Sequence, residues 1–150
     1  MNNIICLDSN IIIKFLTWEA DSERAVGLVN NILQNRQTIL LPDFASVEVG
    51  SVLRKKVYLK IIHPEDADLL WNSFLGLGII KYIESIKLIE TAWRICKEEN
   101  LPVLYDAAYL AVSVLYSDPE NICEFWTADQ KMFNAITIYK KYLRHLSDLI

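Results

Sequence analysis

Residues 101–117 read LPVLYDAAYLAVSVLYS, and Asp106 carries the only charge in the stretch. As a helix it is apolar nearly all round, the pattern of a helix enclosed within a domain rather than laid on its surface. At about 100° per residue, Asp106 and Ser113 project in nearly the same direction. Leu104, Ala107, Ala108, Ala111, Val112, Val114 and Leu115 fill the rest of the circumference. A carboxylate in that setting needs a partner, because burying it alone costs several kcal/mol or forces it to take up a proton.

Working outward, short apolar runs alternate with helical patterns. Residues 3–7 (NIICL) form a buried strand ending at Asp8, and Asp8, Ser9 and Asn10 can cap the helix over 11–16. A helix over 22–35 follows, then a strand at 38–41. Pro42 and Asp43 start a helix running to residue 56, and Glu48 falls inside its apolar arc of Phe44, Ala45, Val49, Val52 and Leu53. Pro64 opens the next helix, residues 79–83 make a third strand, and Ser85 caps a helix to residue 99. Beyond the Asp106 helix, residues 122–126 (ICEFW) make a fourth strand running into Thr127, Ala128 and Asp129. A helix then extends from residue 130 to about 142. The end, LRHLSDLI, reads either as a short edge strand at 143–146 or as more helix.

This alternation predicts an α/β fold, a central parallel sheet of four to five strands between helical layers, in a single domain over residues 1–150. Ligands of such sheets sit beyond the carboxyl ends of the strands, where the strand order reverses. Asp8 and Asp129 both follow strands directly, and Glu48 and Asp106 can lean over the same edge. Four carboxylates in one crevice raise one another's pKa unless a cation neutralises them. Oxygen donors without Cys or clustered His suit Mg²⁺ or Mn²⁺, which positions a phosphate and generates hydroxide from bound water. The expected chemistry is phosphodiester hydrolysis.

Other classes fit poorly. The two histidines, His63 and His145, fall at no strand's carboxyl end in this reading, which disfavours paired-imidazole catalysis; no P-loop is present, and Ser9 and Thr127 lack a base at an informative spacing. A net charge of −4 argues against a generic nucleic-acid coat but not against a locally basic substrate path. Cys6, Cys96 and Cys123 are odd in number and scattered, so reduced thiols are expected. Residues 1–16 lack the features of a signal peptide, and Asp8 and Lys14 interrupt them as a membrane span, so a soluble cytoplasmic protein without membrane attachment is expected.

The motifs DSN at 8–10, ASVEVGSVLRK around Glu48, YDAAYLAVS around Asp106 and WTADQKMF around Asp129 together resemble the PIN domains, most closely the VapC-like toxins of type II toxin-antitoxin systems. The resemblance covers essentially the whole chain. It implies a metal-dependent endoribonuclease cleaving single-stranded RNA, in which Asp8, Glu48, Asp106 and Asp129 form the catalytic Mg²⁺/Mn²⁺-binding cluster. Asn10 and Thr127 would support that cluster by hydrogen bonding. It further implies a homodimer and a small antitoxin whose segment packs into an apolar groove, which Phe15, Trp18, Val57, Tyr58, Leu59 and Ile62 can line. Lys14, Arg54, Lys55, Lys56, Lys131 and Arg144 are candidates for RNA-backbone contacts. The alternatives are a PIN nuclease of RNA maturation or decay without an antitoxin, and a catalytically idle PIN-fold binding module. The final segment departs from the family pattern, since its fifth strand is hard to see.

Overall fold

The run NIICL becomes strand β1 (Ile4–Leu7), whose last three residues are buried. A strand apolar on both faces belongs in the middle of a covered sheet. In the computed structural model, which describes residues 2–150, β1 sits at the centre of five parallel strands. The others are β2 (Thr38–Pro42), β3 (Ile80–Ile83), β4 (Glu124–Thr127) and β5 (Leu143–His145), in the order β3-β2-β1-β4-β5. Successive crossovers carry the chain from β1 outward to β3; it then returns to the other side of β1 for β4 and β5. The reversal falls between β1 and β4, which pair Cys6 with Phe125 and Leu7 with Trp126.

Parallel neighbours need long connections, and the helices supply them. These are α1 (Ser9–Leu16), α2 (Ser22–Gln34), α3 (Ala45–Tyr58), α4 (Pro64–Leu75), α5 (Ile86–Glu99), α6 (Leu104–Tyr116) and α7 (Gln130–Ala135). Helix α6 lies against β1, β2 and β4 with α5 packed along it, while α1 packs on α2 and α3, and α3 on α4. As its sequence demands, α6 is enclosed: every residue from Ala107 through Ser113 is buried. The buried apolar side chains form one cluster reaching from Ile5 to Leu146. No helix among the described residues is long and apolar enough to cross a membrane. The three cysteines are free, with Cys6 and Cys123 buried.

The structure corrects the sequence reading in three places. Pro42 ends β2, opposite Ile83, and α3 starts only at Ala45, so Glu48 lies in the first turn of its helix. Helix α7 stops at Ala135 rather than near 142 because Glu99 captures the chain beyond it. That carboxylate, 7% exposed at the end of α5, accepts hydrogen bonds from the Thr137 backbone (2.7 Å), the Thr137 hydroxyl (3.1 Å) and the Ile138 backbone (3.0 Å). A turn at Lys140–Tyr142 then feeds β5, so the segment left open between strand and helix is a strand, paired with β4. His145 consequently does end a strand, in register with Thr127. Its Nδ1 faces the Ser147 hydroxyl at 2.7 Å and its ring packs edge-on against Phe133. His63 stands exposed before α4, at that helix's N-cap position.

Candidate acidic site

Asp8 leaves the sheet at the point where strand order reverses. Its backbone N–H continues the ladder by donating to the Trp126 carbonyl at 2.8 Å, and its own carbonyl accepts from Ile11 and Ile12 to start α1. The residue occupies the N-cap position, yet its side chain caps nothing. Instead Oδ2 accepts from the Thr127 hydroxyl at 2.8 Å and from the Asn10 amide at 3.2 Å. Both partners are themselves fixed. Asn10 Oδ1 accepts from the Ala128 N–H at 3.1 Å, and Thr127 Oγ1 accepts from the Asp129 N–H at 3.0 Å. The other Asp8 oxygen, Oδ1, is reached only by the Ser9 hydroxyl at the limiting distance of 3.5 Å.

Asp8 is 6% exposed. Burial pushes its carboxyl up to about 7; the Thr127 hydrogen bond opposes this, and the charges of Asp106 and Glu48 add to it. Glu48 and Asp106 are half-buried in the first turns of α3 and α6. Burial raises Glu48, the Tyr109 hydroxyl pulls it down, and the charge of Asp106 raises it again. Burial likewise raises Asp106, and Asp129 adds to the effect. Asp129 is exposed and caps α7, accepting from the Met132 N–H at 3.0 Å. Asp8, Glu48 and Asp106 therefore each feel the charge of at least one other of the four acids.

Among the described residues, no three Asp, Glu, His or Cys side chains come together closely enough to enclose a bare ion. The donor chemistry nevertheless suits a hard cation. Mg²⁺ keeps several of its waters and takes only one or two carboxylates directly, so an open set of carboxylates fits a hydrated ion better than a closed cage. An open Oδ1 on a carboxylate anchored through Oδ2 is a suitable ligand.

The candidate basic residues divide. Lys14 and Lys56 both pair with Glu19, at 3.4 and 3.0 Å, and Arg144 pairs with Glu124 at 3.6 Å. Arg54, Lys55 and Lys131 are exposed, with no ion pair among the described residues. The expected groove residues divide as well. Trp18, Tyr58 and Leu59 are exposed, whereas Phe15 and Ile62 pack against the core and Val57 is half-buried. Sequence reasoning passed over Tyr109, whose hydroxyl donates to Glu48 Oε1 at 2.7 Å. The available signal was a phenol on a helix too apolar to offer it a partner.

The sequence matches the PIN domain model over residues 5–137, a span that includes all four acids, and the chain belongs to the PIN-domain family. The fold recurs in a solved structure, VapBC2 from Rickettsia felis bound to a DNA fragment from their promoter. Identity is 15% and the TM-score 0.63, over 95% of this chain and 98% of that one. The PIN-domain resemblance read from the four motifs thus stands. None of the curated proteins matches the sequence.

Proposed function

We propose that this chain is an Mg²⁺- or Mn²⁺-dependent endoribonuclease of single-stranded RNA and the toxin of a type II toxin-antitoxin pair. The observation that carries the reading is Asp8, a buried carboxylate oriented by Thr127 and Asn10 while two further acids push its proton affinity up. A fold gains nothing in stability from that arrangement without a compensating cation. Asp8, Glu48, Asp106 and Asp129 would hold the cation, Asp8 through Oδ1. Once bound, such a cation polarises the scissile phosphate and acidifies a water to supply the nucleophile. Thr127 and Asn10 keep Asp8 in one orientation, and the Asp129 side chain is steadied by the first turn of α7. Of the six basic candidates, the exposed Arg54, Lys55 and Lys131 are the freest to meet RNA phosphates.

The toxin reading draws on the VapBC2 likeness and on exposed apolar surface. Trp18 (77% exposed), Tyr58 (85%) and Leu59 (53%) offer a place for an apolar antitoxin segment. Ile86, Ile89 and Trp93, at helical spacing on the outer face of α5, offer one for a second copy in a homodimer. The decisive experiment is cleavage of single-stranded RNA with and without Mn²⁺. The parent cuts only with the ion, and Asp8→Ala and Asp106→Ala, folded by circular dichroism, lose at least about 100-fold in rate. Either variant cutting at the parental rate removes the assigned roles.

A further inference from the structure

Tyr109 lies one turn beyond Asp106 on α6 and is 1% exposed. Its ring stacks on Phe125, with centroids 5.7 Å apart and planes 8° apart. It also meets Phe44 edge-on at 5.7 Å. Pinned on two sides, the phenol has both of its side-chain torsions set by packing, so the position of its hydroxyl is set too. That position is 2.7 Å from Glu48 Oε1. Glu48 is the opposite case, a half-buried side chain with three torsions that would otherwise sample several rotamers. A phenylalanine would fill this core site equally well and leave no hydroxyl to satisfy, so packing alone gives no reason for the oxygen.

We propose that Tyr109 is a positioning residue for divalent-cation binding: it pins Oε1 of Glu48, holding the carboxylate toward Asp106 with its second oxygen left for the cation. This rests on the reading of the acids as an Mg²⁺/Mn²⁺ site. The rigid partner sets the geometry and the flexible partner carries the charge. Hydrogen-bond partners of ligating carboxylates act in this way, and removing one costs roughly 10–100-fold in metal affinity.

The test is Tyr109→Phe, which keeps the ring and both aromatic contacts. Mn²⁺ affinity is measured on the RNA-free protein by electron paramagnetic resonance, alongside cleavage rate against Mn²⁺ concentration. Binding is expected to weaken about 10-fold, with the half-saturating Mn²⁺ concentration rising in step and the KM for RNA unchanged. In a Glu48→Gln background the same substitution should add no further loss, an outcome that a purely structural role would not produce. A crystal structure of Tyr109→Phe should show the Glu48 carboxylate displaced. Parental Mn²⁺ affinity in Tyr109→Phe, or an additional loss in the Glu48→Gln background, overturns the inference and leaves the nuclease reading intact. A parent that binds Mn²⁺ without cutting RNA overturns the nuclease reading and leaves the inference to be decided by the binding data. A parent that binds no Mn²⁺ overturns both.

Discussion

In the folded, cation-free chain the Asp8 carboxyl keeps its proton up to about pH 7, whereas in the unfolded chain it releases it near the ordinary 3.8. Between those values the folded state holds the extra proton, so stability falls as pH rises and levels off above about 7. Taken alone the loss is about 4 kcal/mol, a large fraction of what a domain of this size has. Asp8→Asn removes the ionised form but retains an oxygen for the Thr127 and Asn10 donors, and it turns an amide toward Glu48 and Asp106. The variant is expected to be inactive yet more stable than the parent by about 1–3 kcal/mol at pH 8 without metal. The gap should close toward pH 4. Urea unfolding at both pH values measures it, and a variant less stable than the parent at pH 8 would refute the assignment. These acids were legible in the sequence because a charge inside an apolar pattern stands out. Tyr109 was not, because a tyrosine there reads as core and its hydroxyl meets a carboxylate 61 positions away.

At the scale of elements, what could be read and what could not follow the range of the interactions responsible. Strands β1 and β2 are largely apolar runs, β4 (Glu124–Thr127) overlaps the apolar-rich run at 122–126, and α6 is defined by its own periodicity, so local pattern sufficed. The end of α7 is decided by Glu99, 38 positions away from the Thr137 N–H it captures, and nothing near residue 135 announces it. Strand β5 is three residues long and owes its existence to pairing with β4. Glu99→Ala strips Thr137 and Ile138 of their acceptor, and a loss of about 2–4 kcal/mol is expected. Amide exchange should accelerate in β5 well before it does in β1. Equal protection of both strands in the variant would show that the clasp does not hold the C-terminal segment.

For the molecule as a whole, the balance of apolar surface matters more than net charge. Ile86 is 76% exposed and Trp93 61%, on one face of α5, and neither has a place in the acidic site. If this face joins two copies, the parent should sediment as a dimer and Trp93→Glu as a folded monomer, since an unpaired charge at the centre of an apolar contact costs several kcal/mol. A parent that remains monomeric at tens of micromolar removes the homodimer from the proposal. The sheet order has a consequence for how the protein is made. The bond from Thr127 to Asp8 joins residues 119 apart, and the central strand cannot acquire its β4 neighbour until synthesis has passed residue 124. A chain released between residues 106 and 124 carries Asp8, Glu48 and Asp106 but lacks the hydroxyl that orients the first and the strand that pairs with β1. On the proposed function such a fragment is expected to be inactive, so that activity waits on the last strands to be made.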